Sequence, residues 1–455
     1  MANSGVEGRD CFTSKFGIIC AAAGSAIGLG NIWRFPYVVG DSGGGAFLLI
    51  YLGFILLLGI PVMLSEFIIG RRGQRNALGS FKKLAPGKQW YLVGVMGIVA
   101  AFMILAFYST IAGWTLHYVT QSIADSFAGK TSGEINQLFD SFHTRSFLPL
   151  IWQLIFMAMT AWIILSGVKR GIEKYAKVLM PFLVLMLIIM AVRSITLEGA
   201  TEGLLFLFRP DFSAVDSGVI LAALGQAFFS LSIGMGALIT YGSYIKKHNN
   251  LGNISVEVSI ADTLIAILAG VAIFPAVFAF GLAPDEGPGL IFTVLPNIFQ
   301  QMPGGYFFSI IFFVLLAIAA LTSSISILEV VVAYLTEELN ITRHKATLMA
   351  AIAAAFVGAF CTLSFGVLKD VTISELHIFG LLDFTASNLL LPLGGLLIVI
   401  FVGWYMKPSD IKDEISNSGT LKVRLFNVLM FILKFIAPIA IAIVLFDSLG
   451  IIRVN

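Results

Sequence analysis

The sequence predicts an all-α membrane protein of about eleven transmembrane helices, a five-plus-five inverted repeat with helices one and six broken. Three observations lead there. The 455 residues are 58% hydrophobic and 12% charged, with a mean hydropathy of +0.95, whereas a soluble domain carries about 25% charged residues. Apolar segments long enough to cross a bilayer, roughly 17 to 25 residues each, recur along the whole chain. One short pattern (small residue, Ile, Gly, large aliphatic, Gly) occurs twice, as AIGLG at 26–30 and SIGMG at 232–236.

The spans are expected near 16–38, 45–70, 90–124, 149–167, 174–195, 214–243, 257–281, 305–336, 345–366, 374–406 and 424–450. The amphipathic piece GLIFTVLPNIFQQM, 289–302, is too short to span and reads as an extracellular or interfacial helix. Basic residues in short loops set orientation. Arg71, Arg72, Arg75, Lys82, Lys83 and Lys88 follow span two, Lys169, Arg170, Lys174 and Lys177 follow span four, and Lys246 and Lys247 follow span six. The loops after spans five and seven carry Glu198, Glu202, Asp211, Asp216, Asp285 and Glu286. The N-terminus is therefore expected in the cytoplasm and the C-terminus outside. This divides the chain into an N-terminal segment 1–15, repeats 16–195 and 214–406, an added span 424–450 and an outer tail 451–455. The FGIIC run before the first small residues is shorter than the roughly seven residues of a signal-peptide core, so it stays part of span one. The net charge of +2 gives no sign of a nucleic-acid partner. Cys11, Cys20 and Cys361 show no CxxC or metal spacing and read as structural thiols.

Span one leaves the basic side of the membrane and span six enters from the other. Two broken helices of opposite direction, five spans apart, fit an inverted repeat. Unwound backbone leaves N–H and C=O groups unpaired, and each costs several kcal/mol in hydrocarbon unless something satisfies it. Such a break belongs beside a polar cavity. Carbonyls near Gly24, Ala26 and Ile27 can bind a hard cation, and N–H groups near Gly28 to Gly30 can bind a carboxylate. The alternative is that these glycines only allow close helix packing. Thr322, Ser323, Ser324 and Ser326 cluster in span eight and supply the oxygen donors a hard cation prefers. Singly, such hydroxyls often bond the preceding helical turn instead. Asp262 lies deep in span seven, whereas Glu66 stands at the end of span two beside GRRG and reads as a boundary residue. Arg34 and Asp383 are expected toward the outer side, as partners across a vestibule.

The segments AGSAIGLGNIWRFPYVVGDSGGGAFLLIYL, GQAFFSLSIGMGALITYGSY and LTSSISILE resemble the signature segments of the neurotransmitter:sodium symporter family. The likeness covers nearly the whole chain and points to the shorter bacterial branch with eleven spans and a leucine-transporter-like fold. It implies a secondary active transporter, not an enzyme, with two sodium sites. Gly24, Ile27, Ala319, Thr322 and Ser323 match the second site. Ala26, Asn31 and Ser230 match the first, where the substrate carboxylate is itself a ligand. Gly28, Leu29, Gly30 and Tyr108 would hold that carboxylate. Ala26, Ile104, Phe229, Ser230, Ser232, Met235, Ser323 and Ile327 would complete the substrate pocket. Arg34 and Asp383 resemble the outer gate, Arg9 and Glu337 the inner one, with Phe12 where the family usually has tryptophan.

Asp262 has two placements under this resemblance. It is either a ligand of the first sodium or the acidic residue that replaces chloride beside Tyr51, Gln226 and Ser230. The second is favoured, so chloride is expected to be dispensable. Gly171 and Pro181, spaced as Gly-x9-Pro, resemble a segment of span five that unwinds to admit water. An ordinary helix start with a tolerated Pro kink is the alternative. The implied pocket has no charged group aimed at a side chain, and flexible Met235 adapts to varied shapes. The substrate is accordingly expected to be a hydrophobic or aromatic L-amino acid. A sodium channel is the rival reading, but no symmetric ring of filter residues appears. No HExxH motif supports an intramembrane enzyme.

Overall fold

The computed structural model describes residues 11–282, 291–373 and 375–451. Among them, nine continuous helices are long and apolar enough to cross a membrane: Gly45–Gly73, Tyr91–Ile123, Leu148–Leu165, Val168–Ile195, Leu251–Ala279, Gly305–Glu338, Arg343–Leu363, Ile378–Tyr405 and Phe426–Ser448. These are spans two to five and seven to eleven. Span one is a pair, Lys15–Ala26 and Gly30–Asp41, bent by 52° at its break. Span six is split into Ser217–Ser230 and Ala237–Gly242. Among the described residues nine expected crossings are thus continuous and a tenth is the bent span one, while span six is two helices each too short to cross alone; the two interrupted segments are the two marked by the repeated glycine pattern.

The boundaries follow local chemistry. Ser14 accepts from the Gly17 N–H at 3.1 Å and starts span one. Asn250 accepts from the Asn253 N–H at 3.1 Å, so span seven begins at Leu251, earlier than its apolar run suggests. Span five begins as a wide π turn, Val168–Glu173, and stays wound through Pro181. The unwinding expected between Gly171 and Pro181 is not seen in this structure. Gly171 instead serves packing, since a Cβ there would come within 2.2 Å of the Ile163 carbonyl oxygen.

Short helices Ala77–Leu84, Ser132–His143, Ala200–Phe208, Val294–Gln301 and Pro408–Ile415 lie between spans. Val294–Gln301 is the predicted interfacial helix, whose segment begins outside the described residues. Ser132–His143 opens with a Thr131/Glu134 capping box.

The core brings spans one, three, six and eight together, while spans four, five and eleven turn residues such as Trp162, Val178 and Val428 outward. Lipid tails are as apolar as these side chains, so the outward faces need no cover. Spans two and six meet at backbone distance. A Cβ on Gly70 would lie 2.0 Å from the Ile239 carbonyl oxygen, and one on Gly242 would lie 2.9 Å from that of Phe67. At the basic end, buried Arg71 bonds Glu414 at 2.8 Å and the Asn249 carbonyl at 2.7 Å. Lys247 reaches Asp413 at 2.9 Å and Glu414 at 2.6 Å. Its hydrogen bond holds the Asp413 carboxyl below the usual carboxylate range. The helix Pro408–Ile415 is thereby tied to span two and to the loop after span six.

Candidate substrate and cation site

Span one stops as a helix at Ile27, whose backbone is extended (φ −76°, ψ 101°), and restarts at Gly30. The freed carbonyls face span eight. Ser323 Oγ lies 3.3 Å from the Gly24 carbonyl oxygen, 3.2 Å from that of Ser25 and 3.3 Å from that of Ile27. Thr322 Oγ1 lies 3.5 Å from the Ile27 carbonyl oxygen and 3.0 Å from that of Ala319. All five residues expected at the second cation site thus converge, and Ser25 joins them. A hard cation held at about 2.4 Å from each oxygen sets neighbouring oxygens roughly 3.4 Å apart. The spacing of this cluster fits such an ion.

Beside it, the Leu29 N–H donates to Tyr108 Oη at 3.2 Å. Gly28 is required by crowding, because a Cβ there would lie 2.3 Å from Ser323 Oγ and 2.9 Å from Tyr108 Oη. The break in span six bends back through Ser232, Gly234 and Gly236, with φ of 54°, 90° and 76°. Ser232 Oγ donates to the Ser25 carbonyl at 2.9 Å and links the two breaks. Between them lies a cavity of about 30 Å³, room for water rather than for a side chain. Every residue expected in the substrate pocket lines it except Ser230, again with Ser25 added. Phe229 separates this cavity from an outer one of about 320 Å³ that it shares with Arg34, Ser387 and Asp447.

Ser230 belongs instead to a wholly buried cluster around Asp262. Asn31 Nδ2 donates to Asp262 Oδ1 at 2.8 Å, and Ser230 Oγ to Asp262 Oδ2 at 2.8 Å. Tyr51 Oη stands 3.5 Å from Asp262 Oδ2. A carboxylate accepts only, so it turns the Asn31 amide nitrogen toward itself. The Asn31 carbonyl oxygen then faces the break, where it accepts from the Gly28 N–H at 3.3 Å. Gln226, expected in this group, does not bond Asp262; its Nε2 donates to the Gly30 carbonyl at 3.1 Å.

Glu66 is the residue that sequence reasoning misjudged. It is fully buried and accepts from the Gly234 N–H at 2.7 Å, closing part of the span-six break. Hydropathy put it at a boundary beside GRRG, because nothing in the sequence shows that span six unwinds against it.

The expected outer contact is not made in this structure: among the described residues no ion pair within 4 Å joins Arg34 and Asp383. The Arg34 guanidinium lies 4.3 Å over the Phe229 ring, and Asp383 accepts from Ser387 Oγ, one turn along its own helix, at 2.8 Å. Glu337 accepts from the Asn76 N–H at 2.7 Å, while Arg9 lies outside the described residues. Phe12 is buried edge-on against Tyr241, 5.6 Å between ring centroids.

Comparison with known proteins gives one consistent result. The chain is 43% identical to the uncharacterized sodium-dependent transporter YhdH of Bacillus subtilis, over 97% of its own length and 98% of that protein. It is 28% identical to the Drosophila melanogaster sodium- and chloride-dependent GABA transporter ine, over 89% of this chain and 47% of that one. Its structure superposes with a TM-score of 0.90 on the crystal structure of MhsT in complex with L-phenylalanine, at 51% identity, covering 97% of this chain and 100% of that chain. The MhsT fold is the leucine-transporter-like one. The family model for the sodium:neurotransmitter symporters matches residues 9–138 and 131–454. The chain is therefore a multi-pass sodium-dependent transporter and not an enzyme, and it belongs to the sodium:neurotransmitter symporter family.

Proposed function

We propose that the protein couples inward movement of sodium to uptake of a hydrophobic or aromatic L-amino acid by alternating access. One observation carries this reading. A single small cavity is lined both by the backbone of the two helix breaks and by the apolar residues Ile104, Phe229, Met235 and Ile327. A zwitterion with an apolar side chain matches both halves, and MhsT, half identical in sequence, was solved with L-phenylalanine.

In this reading two sodium ions are carried as co-substrates. Gly24, Ile27, Ala319, Thr322 and Ser323 hold one. Ala26, Asn31 and Ser230 hold the other, together with the substrate carboxylate, while Gly28 to Gly30 and Tyr108 orient that carboxylate. Ion and substrate then favour each other's binding reciprocally. The side chain must open the cavity by swinging Phe229, which moves the Arg34 guanidinium resting on it and brings the outer gate into play. Spans one, two, six and seven rock against the rest, within the repeats 16–195 and 214–406. The chain lies in a bacterial plasma membrane with the N-terminus inside.

Reconstitution into proteoliposomes tests the reading. An imposed inward sodium gradient should drive saturable accumulation of labelled L-phenylalanine, tryptophan or leucine, competed by the others. No accumulation of any hydrophobic amino acid by protein that is folded would refute it. Thr322→Val, which keeps shape but loses the hydroxyl, should raise the sodium concentration for half-maximal binding about tenfold. Affinity for substrate at saturating sodium should stay within about twofold, because Thr322 does not line the cavity.

A further inference from the structure

The buried polar groups of the candidate site face the helix breaks. A second such cluster lies behind span three, between spans three, four and nine. Gln153 of span four is completely buried there. Its Oε1 accepts from Thr362 Oγ1 at 2.7 Å, and its Nε2 donates to Ser109 Oγ at 3.0 Å and to the Ala355 carbonyl at 3.3 Å. Thr110 Oγ1 and Thr362 Oγ1 are 2.9 Å apart. Both polar ends of the amide are satisfied, which hydrocarbon surroundings demand. Two glycines admit this close approach. A Cβ on Gly358 would come within 2.3 Å of Gln153 Nε2, and one on Gly113 within 2.7 Å of the Gln153 backbone nitrogen.

Ser109 and Thr110 directly follow Tyr108. Successive residues of an α-helix turn by about 100°, so Thr110 leaves span three roughly opposite Tyr108. The front of the helix carries the hydroxyl 3.2 Å from the Leu29 N–H; the back is pinned to spans four and nine. Tyr108 places its hydroxyl at the end of a long side chain. A small rotation of span three therefore moves it farther than a hydrogen bond tolerates. A bare polar-to-apolar helix contact leaves that rotation free, whereas directional bonds from one amide to two neighbouring spans do not.

We propose that Gln153 is a positioning residue for the substrate carboxylate: it sets the rotation of span three that aims the Tyr108 hydroxyl. This rests on the reading of Tyr108 as a carboxylate partner. The test is sodium-dependent binding of labelled L-phenylalanine to the purified full-length protein, for Y108F, Q153M, T362V and the Y108F/Q153M pair. Y108F should weaken affinity about tenfold, and Q153M and T362V about fivefold each, with the number of sites per molecule unchanged. The pair should bind no more than about twofold worse than Y108F, because a hydroxyl that is gone cannot be misaimed. Wild-type affinity in Q153M and T362V overturns the proposal, and so do losses that multiply in the pair, which assign Gln153 to packing alone. Y108F binding like the wild type overturns the reading of Tyr108 and the proposal with it. Should Q153M fail to fold, Y108F/T362V serves in place of the pair, with the same two outcomes.

Discussion

Asp262→Ser is expected to stop sodium-driven uptake in chloride-free buffer and to recover it when chloride is supplied. The buried carboxylate receives Asn31 Nδ2 and Ser230 Oγ at 2.8 Å each, with Tyr51 Oη at 3.5 Å. Removing it takes the acceptor from Ser230 Oγ and leaves Asn31 Nδ2 only the Asp262 backbone carbonyl at 3.1 Å and Ser230 Oγ at 3.2 Å, at about 1–3 kcal/mol per bond lost in a dry site. It also removes the charge that turns the Asn31 carbonyl oxygen toward the helix break. A chloride ion beside Tyr51, Ser230 and the new serine accepts from the same donors and restores the same charge. Uptake without chloride should fall roughly a hundredfold, in line with two such penalties. With chloride it should return to within about tenfold of the wild type. The measurement is initial uptake rate in proteoliposomes with chloride or gluconate as the anion. Full activity in gluconate, or no chloride response in folded protein, refutes the chloride-replacing role. The orientation of Asn31 is what favours that role. Its amide nitrogen faces Asp262 while its oxygen faces the other way, so the carboxylate sits behind Asn31 as seen from the helix break.

Gly28→Ala is the second large effect. The added methyl would lie 2.3 Å from Ser323 Oγ, 2.9 Å from Tyr108 Oη and 3.1 Å from Ser323 Cβ. Ser323 cannot retreat without giving up contacts, because its hydroxyl already meets three carbonyls of span one. Overpacking of this kind costs about 1–3 kcal/mol, and here the groups displaced belong to both the cation cluster and the carboxylate position. Binding of labelled phenylalanine should weaken on the order of a hundredfold, and half-maximal sodium should rise in parallel through linkage. Gly53→Ala, in span two with nothing within 4 Å of the added carbon, is the matched control. An unchanged sodium and substrate affinity in Gly28→Ala would show that the break is not where the two ligands meet.

Much of this was readable in one dimension. Hydropathy alone delivers the continuous crossings, because a bilayer demands helical backbone of a set length. The repeated glycine pattern marks both breaks, since an interrupted helix in lipid must line something polar. The hydroxyls of span eight and the oxygens of span one could be nominated from residue type. Their meeting within 3.2–3.5 Å could not, because it depends on how spans one and eight pack. Three residues show the limit most plainly. Glu66 looked like a membrane boundary and turns out to close the break in span six. Ser25, an unremarked residue of the signature, stands in both the carbonyl cluster and the cavity. Gln153 attracts no motif at all, and its partners lie 44 and 209 residues away.

The sequence by itself therefore determined the class of the molecule, the apolar segments that cross, and where two of them break. These follow from the composition of contiguous segments and from the cost of unpaired backbone in hydrocarbon. The tertiary structure decided which side of Asn31 Asp262 occupies, that Arg34 rests on Phe229 rather than pairing with Asp383, and what lies behind span three. Those are matters of helix rotation and of which residues meet across hundreds of positions, and directional hydrogen bonds between packed spans, not local propensity, select among the possibilities.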